Sequence, residues 1–483
     1  MRFIIFCILA GLSLWSVDPA VADEDPEAAL DERVPTLMER YSIPGVAIAL
    51  IDDGRLSGTA AYGYADRSEG RTMTAHTPVR AESITKSLTA WGIMRLVEAT
   101  AVELDDPVNE HLQTWAVPPG DFDPSEVTIR RVLSHSAGLP AGFYPDQSPG
   151  GDSPALQEML DGWNEAPAAV PETEPGASFT YSNPGFVLLE QLIEDVTQEN
   201  FGAFLTREVL EPLGMRRSTV AWSDTLAERL AMQYDLSGAP VSAQPYVVRG
   251  HGGLYSTAED LGRFWAAGMD GGFGHPPGRG VLTAASVEKL YSPVISTDGF
   301  YALGADAAGL GHFIDRLDDG TPAVFHGGEG TGYLHMAYGV PEQGVGIVIL
   351  TNSKRRWPFL GDVLGEWAAT HGIEGVAISQ TFGTATTVAY GVLALLSASI
   401  VWLLWSVGWG LWAGRRRFSP VAADRRWVRA AQALTAVGLT LLWWGLAAGV
   451  VGGLLSHMAS WIGSAIGILA VLLLIAAASP LTK

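Results

Sequence analysis

The chain has 483 residues, of which 48% are hydrophobic and 17% are charged. This balance excludes an intrinsically disordered chain and indicates that part of the protein lies in lipid. The net charge of −22 disfavours a nucleic-acid partner, because phosphate binding needs basic patches. Cys7 is the only cysteine, which excludes disulfides within the chain and zinc sites built from several cysteines.

Residues 1–22 have the features of a secretory signal peptide. Arg2 gives a positively charged start, an apolar stretch follows, and small residues at Ala20 and Ala22 offer a cleavage site. We predict cleavage before Asp23. The alternative, an uncleaved anchor, is disfavoured because the apolar stretch is shorter than the roughly 20 residues that a membrane span requires.

Residues 23–387 are predicted to form one extracytoplasmic domain of the α+β class. Hairpins near both ends of this segment predict a single sheet built from both chain ends, with an inserted and mostly helical region between them. The predicted elements are, in chain order, a helix at 30–41, strands at 45–52 and 56–64, helices at 87–97 and 185–197, strands at 334–340 and 345–352, and a helix at 358–370.

Residues 388–483 are predicted to form a membrane anchor of three transmembrane helices. Three uncharged apolar runs, at about 388–413, 430–455 and 461–478, are long enough to cross a bilayer. Buried core helices are the alternative, which the absence of charge over such lengths disfavours. Glycines at four-residue spacing on the last two runs fit close helix packing within one chain or in a dimer, so the oligomeric state stays open.

The arginines predict the orientation in the membrane. Six of them lie between Arg415 and Arg429, and short basic loops stay cytoplasmic. The chain before Val388 is therefore predicted outside, where the signal peptide independently directs it, and the C-terminus is predicted in the cytoplasm. All of the net negative charge lies before Val388, because Asp424 is the only acidic residue after it.

Two Ser-x-x-Lys sequences stand out because the chain has only four lysines. Ser83 precedes Lys86 and Ser286 precedes Lys289, and residues at i and i+3 share a helix face. That is the geometry of a lysine-activated serine nucleophile. The first pair is the better candidate, because the apolar helix after Ser83 can desolvate Lys86 and lower its pKa. Ser286 lies beside Glu288 in a polar helix start, as capping residues do.

Two further motifs follow in the domain. Tyr181-Ser182-Asn183 is the only Tyr-x-Asn in the chain, and His326-Gly327-Gly328 follows a short apolar run that resembles a strand. The order Ser-x-x-Lys, Tyr-x-Asn, His-x-Gly resembles the serine β-lactamase-related family, which includes class C β-lactamases, penicillin-binding carboxypeptidases, D-aminopeptidases and family VIII esterases. Three other stretches are similar to that family: LSHSAGL at 133–139, PLGM at 212–215 and GGLYST at 252–257.

The resemblance covers about residues 30–370 and implies a β-lactamase-like antiparallel sheet flanked by helices. It also implies roles for the motif residues. Ser83 would attack a carbonyl and become acylated, while Lys86 and Tyr181 would move its proton. Asn183 would hydrogen-bond Lys86 and an amide of the substrate.

The third motif would complete the site in this family. The backbone N–H groups of Ser83 and Glu329 would form an oxyanion hole, and Gly328 would let substrate lie against the strand. His326 stands where β-lactamases have a lysine. Histidine is mostly neutral at pH 7, so a permanent cation for a substrate carboxylate is missing, which disfavours penicillin turnover as the native role.

The leading hypothesis is therefore a membrane-anchored serine hydrolase whose substrate is an ester, a D-amino-acid peptide or a β-lactam. The alternative is a sensor or binder that becomes acylated and does not turn over. It is disfavoured because the short arginine-rich loop holds no cytoplasmic output domain. No cofactor is implied, and no metal site is expected, because no pair of histidines has the His-Glu-x-x-His spacing.

Overall fold

A computed structural model describes residues 26–144, 154–246, 248–271, 275–354, 357–419, 426–447 and 455–481. The predicted signal peptide lies outside these residues, as do Arg425, Lys483 and part of the predicted second span, 448–454.

Both ends of the first domain contribute strands to one antiparallel sheet. Its strand order is β3-β2-β1-β13-β12-β11-β10-β9-β8, and the pairs β4–β7 and β5–β6 form two small separate sheets. The strands are β1 (Gly45–Asp52), β2 (Arg55–Asp66), β3 (Arg71–Thr72), β4 (Val79–Arg80), β5 (Gln233–Tyr234), β6 (Pro240–Val241), β7 (Tyr255–Ser256), β8 (Ile295–Ser296), β9 (Ala307–Ala308), β10 (Phe313–Arg316), β11 (Pro322–Glu329), β12 (Leu334–Val340) and β13 (Val345–Thr351).

One helix precedes β1, and the others lie between β4 and β8 or follow β13. They are α1 (Pro26–Tyr41), α2 (Thr85–Glu98), α3 (Ile129–Leu133), α4 (Leu156–Leu160), α5 (Asn183–Thr197), α6 (Phe201–Leu205), α7 (Asp224–Arg229), α8 (Arg249–Gly252), α9 (Ala258–Ala267), α10 (Ala284–Tyr291), α11 (Trp357–Thr370), α12 (Ala377–Trp412), α13 (Arg426–Ala447) and α14 (Ser456–Ala478). The predicted α+β class, with a sheet from both chain ends and an inserted helical region, is confirmed.

The sheet separates two apolar cores. β1 pairs with β13 on one side and with β2 on the other, so it is a central strand. Its side chains alternate between the faces: Ala47 and Ala49 pack in the core that includes α9, whereas Val46 and Ile48 pack in the core that includes α1 and α11. Because both faces are covered, β1 reads as a continuous apolar run.

Two of the three predicted membrane spans correspond to helices that are long and apolar enough to cross a bilayer, namely α12 and residues 457–478 of α14. The third prediction, 430–455, overlaps α13, which does not meet that test over its described residues. The first of these helices begins before the predicted boundary at 387, which marks the start of the apolar run. α12 begins at Ala377, and its residues Ile378 and Phe382 are buried in the core beside α11.

The arginines and the sheet lie at opposite ends of α14. Near its C-terminal end, Arg416 Nη1 donates to Ser479 O (2.9 Å) and Arg429 Nε donates to Ala477 O (2.6 Å). Near its N-terminal end, the ring of His457 meets the ring of Tyr41 from α1, with centroids 4.8 Å apart. The helices after β13 therefore separate the basic residues from the acidic sheet domain.

Candidate active site

Ser83 and Lys86 meet where a short 3-10 turn, Glu82–Ile84, leads into α2. Lys86 Nζ lies 3.1 Å from Ser83 Oγ and donates to the backbone carbonyl of His251 at 2.8 Å. The Lys86 side chain is fully buried, and this burial holds the pKa of its amine well below the usual value. A neutral amine in contact with a serine hydroxyl can accept the hydroxyl proton.

The turn that carries Ser83 is strained and held from two sides. Glu82 has a φ of +51°, a backbone angle that residues other than glycine rarely adopt. Its carboxylate forms a buried ion pair with Arg80 Nε at 2.8 Å. From the other side β11 approaches so closely that a Cβ on Gly328 would lie 2.5 Å from Ala81 O. Glu82 is not among the predicted site residues, because a glutamate beside a motif serine carries no distinctive signal in the sequence.

Gly328 lies on the side of β11 that contacts the turn carrying Ser83. Its missing side chain lets β11 pack closely against that turn. The neighbouring Gly327 lines the pocket in front of Ser83, with Trp357 beyond it. Successive strand residues face opposite sides, which is why the two glycines have different surroundings, and a substrate contact at Gly328 stays a prediction.

Tyr181 is fixed by the start of α5. Ser182 is the N-cap of that helix and accepts from Gly185 N, and the N–H of Ser182 donates to His135 Nδ1 at 3.1 Å. The Tyr181 hydroxyl interacts with the Ser83 side chain, and burial raises the pKa of Tyr181 well above the usual value. Its ring lies 4.9 Å from Lys86 Nζ. Tyr181 is thus a neutral phenol beside Ser83 and Lys86.

Asn183 lies in the same pocket but does not make the expected bond. Its amide Nδ2 donates to Gly142 O at 2.6 Å, while its Oδ1 is buried and accepts no hydrogen bond from the described residues. Lys86 Nζ instead donates a hydrogen bond to the His251 carbonyl oxygen. The structure therefore does not contain the predicted hydrogen bond between Asn183 and Lys86, and the predicted contact of Asn183 with a substrate amide stays a prediction.

His326 and Glu329 are both on β11. His326 is 2% exposed, its Nδ1–H donates to Gly327 O at 2.7 Å, and burial lowers its pKa to about 3. This histidine is neutral at physiological pH. The carboxylate of Glu329 accepts from Trp357 Nε1 at 3.3 Å, which fixes its side chain against the first residue of α11.

One pocket of about 610 Å³ brings together Ser83, Tyr181, Asn183, His326 and Glu329. Lys86 lies behind Ser83, so the predicted site residues other than Gly328 either line this pocket or contact a residue that does. Most of the remaining lining is apolar. It comprises Ala141, Gly142, Phe143, Phe300, Tyr301, Leu303, Gly304, Ala305, Phe313, Phe325, Gly327, Met336, Trp357, Ile378 and Phe382. Within the described ranges, no cluster of three or more histidine, cysteine or acidic residues could hold a metal ion.

Comparisons with known proteins agree with this geometry. The family model described as Beta-lactamase matches residues 30–366, and the chain therefore belongs to that family. Penicillin-binding protein 4 of Amycolatopsis lactamdurans is 30% identical over 367 residues, which cover 73% of this chain and 91% of that protein.

Solved structures show the same fold. The octameric penicillin-binding protein homologue from Pyrococcus abyssi matches with a TM-score of 0.60 and 26% identity, covering 72% of this chain and 78% of that one. The D-amino acid amidase from Ochrobactrum anthropi matches with a TM-score of 0.60 and 24% identity, covering 74% and 99%. A penicillin-binding protein homologue and a D-amino acid amidase share this fold, so the fold alone does not select a substrate class.

Proposed function

We propose that this protein is a membrane-anchored serine hydrolase that cleaves an ester or amide through an acyl-enzyme on Ser83. The observation that carries the proposal is the contact between Ser83 Oγ and Lys86 Nζ, at 3.1 Å, in a site where the lysine is fully buried. A lysine kept neutral by burial is a base that can act near neutral pH.

In the first half-reaction, Lys86 accepts the Ser83 proton while Oγ bonds to the substrate carbonyl carbon. The tetrahedral intermediate collapses when the bond from carbon to the leaving alcohol or amine breaks. Lys86 then returns the proton to that leaving group, with the Tyr181 hydroxyl as the relay beside both residues. Water next attacks the acyl-enzyme, gives its proton to Lys86, and releases the acid as Ser83 is reprotonated.

Negative charge develops on the carbonyl oxygen during each attack. Ser83 lies in the first turn before α2, where backbone N–H groups have no partner inside the helix. β11 lies against that turn, and its last residue, Glu329, lines the same pocket. The backbone N–H groups of Ser83 and Glu329 are the proposed oxyanion hole. Hydrogen-bond donors that already point at the developing oxyanion strongly lower the activation free energy.

The acyl-enzyme is the decisive test of the proposed chemistry. Purified full-length protein is incubated with a fluorophosphonate probe, a p-nitrophenyl ester, a D-amino-acid amide and a β-lactam, and intact mass is followed with time. We expect an adduct on the peptide that contains Ser83, and its decay with product release for the true substrate class. An adduct that forms and never decays for any of these compounds would favour the non-turning-over sensor.

We also propose that the sheet domain is extracytoplasmic and that α12, α13 and α14 form its anchor. Arg416 and Arg429 lie at the end of α14 that is remote from Tyr41 and the sheet, as a cytoplasmic basic loop requires. The test uses cysteines introduced into a Cys7→Ser background. A membrane-impermeant maleimide should label Ser237→Cys in intact cells and should label Ser419→Cys only after permeabilisation. The reverse pattern overturns the topology.

A further inference from the structure

The helix that leaves the sheet domain for the membrane is also a wall of the active-site pocket. Ile378 and Phe382, one turn apart on α12, line the same pocket as Ser83. Both are at most 5% exposed, and the Phe382 ring stacks on Trp357 with centroids 5.8 Å apart. The same helix continues without a break into the apolar run that begins near Val388.

The distance from the pocket to the predicted bilayer is short. Val388 is the sixth residue after Phe382, a distance of about 9 Å along an α-helix. Val388 itself is 60% exposed, as a lipid-facing side chain is in the absence of lipid. The apolar end of the pocket is therefore close to the level at which the membrane begins.

The rim of the pocket is apolar and exposed. Phe143, Phe300 and Leu303 line it, and they are 62%, 51% and 47% exposed. The turn that carries Leu303 is tied to the membrane helix, because Thr381 Oγ1 donates to Leu303 O at 2.6 Å. Large apolar side chains gathered at the mouth of a site mark a surface that meets lipid or an apolar ligand.

The interior of the pocket has a few polar groups in a mostly apolar lining. Ser83, Tyr181, Asn183, His326 and Glu329 supply the polar groups. His326 is neutral, and the Glu329 carboxylate accepts a hydrogen bond from Trp357 Nε1. Aromatic and aliphatic side chains line the rest, as in sites where a few polar groups orient a mostly apolar ligand. A substrate that fills this volume carries its reactive carbonyl at one end and hydrocarbon over the remainder.

We propose that the substrate is a long-chain acyl ester or amide resident in the same membrane as the enzyme. Its hydrocarbon chain lies between Ile378, Phe382 and the rim formed by Phe143, Phe300 and Leu303, while its carbonyl reaches Ser83. This inference rests on the proposed hydrolase function and names the substrate class of that site. The anchor then does more than tether, because its first turns form the subsite that binds the chain.

The first test is the chain-length preference of full-length protein in detergent at substrate concentrations below micelle formation. We expect kcat/KM for p-nitrophenyl octanoate to exceed that for the acetate by about tenfold or more, because six further methylene groups become buried. A ratio near one, or below one, overturns the inference whatever the variants do.

A matched pair of variants locates the subsite. Ile378 and Ile373 are both buried in the core that includes α1 and α11, but only Ile378 lines the pocket. Ile378→Ser should lower the octanoate-to-acetate ratio by about fivefold or more, since it places a hydroxyl against the chain. Ile373→Ser makes the same chemical change and should leave the ratio within twofold of wild type. Equal ratios in the two variants contradict the proposed subsite.

Nanodiscs that contain the full-length protein test whether the substrate comes from the same membrane as the enzyme. A fluorogenic long-chain acyl ester is placed either in the same discs or in separate discs, and we expect hydrolysis at least tenfold faster in the first case. Equal rates overturn a membrane-resident substrate. If Ser83 is never acylated by any ester, the proposed function itself fails. If the acetate is cleaved through Ser83 without a chain-length preference, only this inference fails.

Discussion

The two Ser-x-x-Lys sequences of this chain have the same spacing and opposite surroundings. Lys86 is fully buried beneath the active-site pocket, and its amine contacts Ser83 Oγ. Lys289 is exposed on α10, and Ser286 Oγ lies 3.1 Å from Thr283 Oγ1. The Ser286 side chain also interacts with Glu98, so it belongs to the group of contacts that holds the start of α10.

The contrast indicates which surroundings favour a reactive serine in a Ser-x-x-Lys sequence. Both pairs bring a hydroxyl and an amine to one helix face, so geometry along the chain does not distinguish them. The difference lies in the residues that surround the lysine, which remove water from Lys86 and leave Lys289 in it. Desolvation favours the neutral form of a lysine amine, which can act as a base. A serine next to such a base can become a nucleophile, whereas a serine next to a solvated ammonium cannot.

The largest expected effect is loss of the first serine. Ser83→Ala should abolish labelling by a fluorophosphonate probe and lower kcat/KM by at least about 10³-fold, because the nucleophile is gone. Ser286→Ala is the matched control and should change kcat/KM less than twofold. Both are measured on purified full-length protein with a p-nitrophenyl ester. Full activity in Ser83→Ala would remove the basis of the proposed mechanism.

The bases are expected to act as one unit with the nucleophile. Lys86→Met and Tyr181→Phe should each lower kcat/KM by about 10²-fold or more, and the double variant should be little worse than the poorer single one. Lys289→Met repeats the lysine change at the exposed site and should have no effect on kcat/KM. Fully multiplicative losses in the double variant would mean that the two residues act in separate steps.

The pH dependence separates Lys86 from His326. Burial lowers the pKa of Lys86, and its neutral form is the base, so kcat/KM should fall about tenfold per pH unit once the pH drops below that pKa. His326 has a pKa of about 3 and stays neutral from pH 5.5 to 8, so affinity for a carboxylated substrate should not improve as the pH falls. KM that decreases on acidification would show a protonated His326 and favour a peptidase-like substrate.

Much of the fold followed from short-range pattern. Apolar runs bounded by turn residues predicted β1, β12 and β13 within a residue or two, because a central strand covered on both faces has to be apolar throughout. The helix at 30–41 was also confirmed and begins earlier, at Pro26. The short strands β8 and β9 gave no signal, since two paired residues carry no periodicity.

The site was predictable where the chemistry is local and not where it depends on packing between distant segments. Ser83 and Lys86 are one turn apart, so their contact followed from spacing. The partner of Lys86, the carbonyl of His251, is 165 residues away, and any residue can supply a carbonyl. For the same reason the hydrogen bond of Asn183 to Gly142 and the packing of Gly328 against Ala81 could not be predicted from the motifs.

The anchor illustrates the same limit. Hydropathy predicted where apolar helices lie, but not that α12 begins at Ala377 within the core of the sheet domain. Ile378 is an ordinary apolar residue in the sequence, and its place beside the pocket depends on Trp357 and Gly304 from other segments. The length and composition of a helix can identify it as a candidate membrane span, but they do not indicate which of its turns line another site.

The smallest expected effect tests the structural role of the second Ser-x-x-Lys sequence. Thr283 is the N-cap of α10: its side chain accepts from Ser286 N at 3.2 Å and donates to Glu98 Oε1 at 2.8 Å. Thr283→Ala removes both bonds, and loss of such a cap costs about 1 kcal/mol of stability.

In thermal unfolding of the full-length protein followed by intrinsic fluorescence, that loss corresponds to a midpoint lowered by about 2–4 °C. kcat/KM for the p-nitrophenyl ester should stay within twofold of wild type, because α10 contributes no residue to the pocket lining in the described chain. Thr283→Ser, which retains the capping hydroxyl, should recover most of the lost stability. A tenfold loss of kcat/KM in Thr283→Ala at an unchanged midpoint would contradict a purely structural second motif. It would require that Ser286 or Lys289 reach the reaction.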